Sequence, residues 1–288
     1  MPKTTGCLIR LAAAFALSMA IVAAPTLLAA QTPYLRVPTG EPKYTAIVMD
    51  ARSGEVLYAE RADSPRYPAS VTKVMTLYLT FEALAAGRLQ LSEMIVVSPH
   101  AAAQPATHLG LRAGASISVE NAISAMTVHS ANDMAVALAE HIGGTESRFA
   151  ALMSLKAKQL GMSSTQYVNA NGLPDSRQIT SARDLAVLSR AVLHDFPQYY
   201  RFFSQQSFTY NGRSMVNTNH LLGKMPGVDG VFQKVFPVGI VTAHAKIASL
   251  ALFLRKFHRL MKTGVVDAPI AILHRLSFAF FGIDAVQL

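Results

Sequence analysis

Ser70 and Lys73 stand three residues apart in Tyr67-Pro68-Ala69-Ser70-Val71-Thr72-Lys73, directly ahead of an apolar helical pattern from Val74 to Ala86. A serine in the first turn of a helix holds its hydroxyl among unpaired N–H groups, at the dipole end that favours developing negative charge. A lysine three residues on rises on the same face, one turn away. Among apolar neighbours its charged form is costly, so its pKa is expected to fall toward that of a usable general base. These are the ingredients of a Ser-Lys nucleophile. Alone the tetrapeptide is a weak signal, because S-x-x-K also occurs on ordinary surfaces.

A second pair, Ser130 and Asn132, follows 60 residues after Ser70. Val119 to Thr127 is apolar at helical spacing and stops at His129-Ser130-Ala131-Asn132; a further helix is expected from Asp133 to Gly143-Gly144. The pair thus falls in a break between two helices, where side chains can point into a cleft. The plain alternative is an N-cap before Asp133. Histidines 108, 129 and 141 raise a triad reading, but there is no G-x-S-x-G elbow and no suitably placed acid. No H-E-x-x-H or comparable cluster calls for a metal or cofactor. The histidines are read as polar surface or helix-end residues.

The elements that must position these groups can be followed along the chain. Residues 1–30 combine a basic start (Lys3, Arg10), an apolar run from Leu11 to Ala24, and Leu28-Ala29-Ala30 before Gln31. This is the pattern of a secretory signal peptide cut after Ala30, with an uncleaved anchor as the rival, and it places the remainder outside the cytoplasm. Cys7 is the only cysteine, so a processed chain contains no thiol for disulfides or metals. Tyr44–Asp50 and Glu55–Glu60 read as two strands around the Ala51-Arg52-Ser53-Gly54 turn, a hairpin leading into the Ser70 helix. Leu91 to Gly114 reads as irregular. Ser147–Leu160 and a helix capped by Ser181 are separated by the turn-rich segment Val168–Pro174. With 51% apolar residues the chain can bury a large core. The 26 Lys/Arg against 17 Asp/Glu give +9, but seven basic and two acidic residues lie after Gly230. The main body is therefore nearly neutral and carries no nucleic-acid signature.

Ser70-x-x-Lys73, Ser130-x-Asn132, Asn171-Gly172-Leu173, Ser181-Ala182-Arg183-Asp184, Asn217-Thr218-Asn219 and Pro226-Gly227-Val228-Asp229-Gly230 occur in this order. Together they resemble the penicillin-binding D-alanyl-D-alanine carboxypeptidases, over about residues 33–230. The resemblance implies an α/β fold of the β-lactamase/transpeptidase-like kind, an antiparallel sheet flanked by a helical region. It implies an exported serine peptidase that removes the terminal D-Ala from peptidoglycan stem peptides and is acylated by β-lactams. Ser70 would be the nucleophile, Lys73 its base, Ser130 a proton relay to the departing D-alanine, and Asn132 the group that holds the substrate amide. Residues 31–230 would then form the catalytic domain, and residues 231–288 a divergent basic, apolar tail with a tendency to membrane surfaces.

The departure lies just past Gly230. The family continues after one residue into K-T-G, whose lysine and threonine grip the substrate carboxylate, but here that lysine position holds Phe232. Lys262-Thr263-Gly264 occurs thirty residues on, at the end of Ala248–Met261, which reads as a basic amphipathic helix. The expectation is a C-terminus altered near codon 230 by frameshift or rearrangement, and a sheet left incomplete after Gly230. Only Lys234–Ala243 offers a strand, which Pro237 would confine to an edge, leaving the strand Tyr44–Asp50 or its neighbour as an exposed apolar edge. Alternatives to an active peptidase are a cell-wall-binding pseudoenzyme and a β-lactamase. The latter needs a carboxylate to activate water, and no Glu follows Glu146.

Overall fold

Helix α1, Thr72–Ala85, is apolar around its whole circumference: from Thr72 to Leu84 only Glu82 escapes burial. A helix hydrophobic on all sides must be central. In the structure, a computed structural model that describes residues 45–219, 222, 228–230, 239–244 and 277–282, other helices surround it. These residues lie within one compact unit, Leu35–Leu288. Helix α3 (Val119–His129) and α4 (Asn132–Gly143) are nearly continuous apolar stretches. Helix α4 packs on α1, α3 and α5 (Glu146–Gln159). In α5 the buried Phe149, Met153 and Ala157 recur every fourth residue, a single inward stripe. The short helix α2, Pro99–Ala102, lies against α4.

Strand β1 (Ala46–Asp50) is buried at every position, as a strand covered on both faces should be. It pairs antiparallel with β2 (Val56–Glu60) through the expected turn, where Asp50 Oδ1 accepts from the backbone N–H of Arg52 and Ser53. Among the described residues the sheet has five strands in the order β2-β1-β9-β8-β7, with β7 at Val228–Gly230, β8 at Gly239–His244 and β9 at Ser277–Gly282, every pairing antiparallel. Helix α6 (Ala182–Asp195) lies along β1 and β9. Ser181 caps α6 as expected, its Oγ accepting from Asp184 N at 3.1 Å.

Two expectations are corrected here. The sheet does not stop at Gly230: β8 and β9 enter it, and Ala46–Asp50 of β1 pairs with Phe278–Gly282 of β9. Strand β1 is therefore no exposed edge, whereas its neighbour β2 is one; among the described residues the other edge is β7. Strand β8, which starts at Gly239 and so after Pro237 in sequence, is interior, paired with β7 on one side and β9 on the other. Secondly, the segment from Leu91 is not irregular throughout. It holds β3 (Met94–Val96) and α2, and β3 pairs with β4 (Ser116–Ser118) just beyond it, with Ile95 and Ile117 buried at the centre of the pair. Residues 1–30, read as a signal peptide, and Phe232, Ala248–Met261 and Lys262-Thr263-Gly264 lie outside the described residues.

A hairpin of β5 (Ser207–Tyr210) and β6 (Arg213–Val216) follows α6. Its turn, Asn211-Gly212, has both residues at positive φ (47° and 76°), the geometry for which Asn-Gly is favoured. Between α6 and β5, Tyr199, Phe202 and Phe203 gather with Phe196 around the fully buried Phe81 of α1, at centroid separations of 5.2 to 6.3 Å. Strand β7 presses on the same cluster: a side chain at Gly230 would meet Tyr200 and Phe203 at about 3 Å. The Gly230 end of β7 is thus seated by aromatic packing one layer from α1.

Candidate active site

Ser70 lies in a single 3-10 turn, Ala69–Val71, that runs directly into α1. Ala69 before it takes φ 46°, a left-handed conformation costly for a residue with a side chain and one that clusters at functional sites. Lys73 rises one turn further on, fully buried, with Nζ 3.4 Å from Ser70 Oγ. That contact is long, as such pairs commonly are before substrate tightens them.

Two shorter bonds hold the amine. Lys73 Nζ donates to Asn132 Oδ1 at 2.7 Å and to the Asn171 carbonyl at 2.6 Å. Burial pushes the Lys73 pKa down to about 7, against the opposing pull of the Asp133 carboxylate. A neutral amine has two N–H donors and one lone pair. Here both donors have fixed acceptors, so the lone pair is left for the Ser70 hydroxyl. The geometry matches a base poised near neutral pH.

Asn132 is not in a loop, as the sequence suggested, but in the first turn of α4. The break between α3 and α4 is only Ser130-Ala131, and Ser130 turns the chain in the left-handed region (φ 58°, ψ 35°). Asn132 Nδ2 donates to Pro105 O at 3.0 Å, which fixes the amide with its oxygen toward Lys73. The 105–110 segment is anchored in turn by Asp133, whose carboxylate accepts from the N–H groups of Leu109, Gly110 and Met134 at 2.9 to 3.0 Å. Thr107 Oγ1 bonds the Ser130 carbonyl at 3.0 Å. The Ser130 hydroxyl is buried and has no hydrogen-bond partner among the described residues. It remains available to a bound molecule.

Asn171 carries no role in the sequence reading, although Asn171-Gly172-Leu173 was among its motifs. Its contribution is a backbone carbonyl, for which no side-chain pattern exists; the motif's glycine is the legible part. Gly172 takes φ 88°, and a Cβ there would overlap the Ala69 carbonyl oxygen beside Ser70. Only glycine lets this loop lie against the serine turn. The loop is also closed on itself, with Asn169 Oδ1 accepting from Gly172 N at 2.8 Å and Gln178 Oε1 accepting from Val168 N and Asn169 N at 3.0 Å.

The histidines form no triad. His141 Nε2 lies 2.8 Å from Glu93 Oε1 and His108 Nδ1 lies 3.0 Å from Gln104 O, so each ring nitrogen named has a partner other than a serine. His129 is shifted down, first by burial and then by the nearby Arg213 charge. Among the described residues no group of three His, Cys, Asp or Glu is placed to hold a metal, and no helix is long and apolar enough to cross a membrane.

Sheet, helical region and Ser-Lys turn point to one class. The chain belongs to the D-alanyl-D-alanine carboxypeptidase family, whose profile matches residues 40–233. Among curated relatives it is similar to the D-alanyl-D-alanine carboxypeptidase DacC of Escherichia coli, 35% identical over 182 residues, 61% of this chain and 46% of that one. Among solved structures it is similar to penicillin binding protein 5 of Haemophilus influenzae, with a TM-score of 0.70 and 26% identity, covering 87% of this chain and 68% of that one. It is also similar to penicillin-binding protein D2 of Listeria monocytogenes in its ampicillin-bound form (TM-score 0.64, 26% identity, 87% and 93% covered). The fold is therefore β-lactamase/transpeptidase-like. The chain spans about half the length of the curated relatives it matches.

Proposed function

We propose that this chain is an exported serine-type D-alanyl-D-alanine carboxypeptidase acting on peptidoglycan stem peptides that end in D-Ala-D-Ala. The observation that carries the reading is the buried Lys73, held by Asn132 and Asn171 with its remaining valence toward Ser70. Neutral Lys73 takes the Ser70 proton as Oγ attacks the carbonyl of the penultimate D-alanine. Collapse of the tetrahedral adduct breaks the peptide bond, and Ser130 passes a proton to the departing D-alanine amine. The ester on Ser70 is then hydrolysed by water, which returns the hydroxyl. The Asn132 side chain holds the substrate amide beside Lys73. General-base help of this type contributes about 10²–10⁴-fold. β-Lactams enter as acylating inhibitors, in keeping with the names of the penicillin-binding relatives. The signal-like residues 1–30 support the periplasm or the outer face of the cytoplasmic membrane, and the basic residues after Gly230 support contact of the tail with a membrane surface.

A β-lactamase reading lacks its water-activating carboxylate. The Asp133 carboxylate, which acts on Lys73, has both oxygens engaged by backbone N–H groups. One observation favours a second reading, a wall-binding protein without turnover: Phe232 stands where the family resemblance calls for a carboxylate-gripping lysine. Release of D-alanine from an acylated peptide ending in D-Ala-D-Ala, followed with D-amino-acid oxidase, separates the two. The peptidase releases one D-alanine per peptide and Ser70→Ala releases none. Penicillin acylation without any D-alanine release assigns the chain to the second reading.

A further inference from the structure

The bonds that hold the 169–174 loop over Lys73 lead outward to a carboxylate with no part in the scheme above. Glu146 stands in the first turn of α5 with its side chain 14% exposed. Its Oε1 accepts from Ala170 N at 2.9 Å, and its Oε2 lies 2.8 Å from His100 Nε2 of α2. The Ala170 carbonyl is pinned from the other side by Thr76 Oγ1 of α1 at 2.7 Å. Asn171 follows, its carbonyl on Lys73 Nζ and its Nδ2 donating to Gln104 Oε1 at 2.8 Å. Gln104 Nε2 closes the ring by donating to the His100 carbonyl at 3.2 Å.

We propose that Glu146 is the positioning residue for the general base: clamping Ala170 through Oε1 keeps the Asn171 carbonyl on Lys73 and keeps water from the amine. The inference rests on the reading of Lys73 as the base for Ser70. An acid at a helix start also favours the dipole, but both bonds of this one leave its helix, to the loop and to α2. The groups that face Lys73 are Ser70, Asn132, the Asn171 carbonyl and the Asp133 charge; His100 and Glu146 form the outer ring. Freeing the loop has two opposed effects on Lys73. Losing the carbonyl acceptor disfavours the ammonium, while admitting water favours it. Burial is the larger influence on this amine, so the net effect is a rise toward the ordinary lysine value.

The test is a direct titration of Lys73 in the intact chain by NMR, with ¹³C at lysine Cε and the signal assigned by its loss in Lys73→Met. Glu146→Asp keeps the charge but is one methylene too short to reach Ala170, and the Lys73 midpoint is expected to rise by about one pH unit. Glu146→Gln keeps an acceptor at full reach and is expected to restore the wild-type midpoint. An unmoved midpoint in Glu146→Asp, with only melting temperature lowered, overturns the proposal. An equal rise in Glu146→Gln overturns it too, since charge and not reach would then be at work. Should Glu146→Asp fail to fold, Thr76→Val releases the Ala170 carbonyl instead; the midpoint is expected to rise there, and an unmoved one overturns the clamp. The titration needs no substrate. A wild-type chain that penicillin fails to acylate removes the carboxypeptidase reading and leaves this test standing.

Discussion

Replacing Lys73 by methionine keeps a long apolar side chain in place and removes the buried amine, and its consequence for stability follows from the pKa. In the unfolded chain the lysine titrates near 10.5, and in the fold burial lowers it to about 7. At low pH the folded protein must bury an ammonium, which corresponds to a cost of about 5 kcal/mol. As pH rises past about 7 the folded amine is neutral while the unfolded one still holds its proton, so stability climbs until about pH 10.5. Wild type should therefore gain about 2.5 kcal/mol relative to Lys73→Met between about pH 6 and about pH 9. The variant also leaves Asn132 Oδ1 and the Asn171 carbonyl without their donor, at about 1–3 kcal/mol each. That loss is the same at every pH, so it offsets the two curves without tilting one against the other. Other titrating groups are common to both chains and cancel. Urea unfolding of both proteins across this range reads the difference by linear extrapolation. Parallel pH curves would refute the reasoning, because they would mean that Lys73 is solvated and charged like a surface lysine.

Three further outcomes are expected. Gly172→Ala should destabilise the chain by more than about 2 kcal/mol and slow penicillin acylation with it, since the new methyl overlaps the Ala69 carbonyl and φ is 88°; unchanged melting and acylation would contradict this. Ser181→Ala should cost about 1 kcal/mol in urea unfolding through the lost α6 cap, and leave the pH profile of acylation in place. Phe81→Ala should cost about 3–5 kcal/mol, because it empties the centre of the aromatic cluster that seats β7; a loss below about 1 kcal/mol in the same assay would mean that the cluster collapses to fill the space.

What was legible in the sequence was mostly local. The β1–β2 hairpin follows from two apolar runs around an Asp-Ala-Arg-Ser-Gly turn, and α1 and α3 to α6 from periodicity closed by caps such as Ser181. The approach of Ser70 and Lys73 is a consequence of helical spacing, so it too could be read directly. The Asn211-Gly212 turn was an equally strong signal that the reading passed over. Strands β3 and β4 were hidden because three residues are too few to show alternation. The pairing of Ala46–Asp50 with Phe278–Gly282 joins opposite ends of the chain, and no local pattern encodes a partner that distant. Pro237 misled the reading because a proline restricts its own place in a ladder and not a strand that begins after it. The Asn171 carbonyl and Glu146 were invisible for a different reason: one acts through its backbone, the other through a loop twenty-four residues away in sequence.

The central claim, a Ser70 nucleophile driven by Lys73, is tested most directly by incubating the purified chain with a fluorescent penicillin and locating the adduct by peptide mass spectrometry. The account predicts a covalent adduct on Ser70, none in Ser70→Ala, and acylation slowed by about 10²–10⁴-fold in Lys73→Arg, whose guanidinium does not deprotonate. An adduct that survives Ser70→Ala, or that maps to another residue, would contradict it.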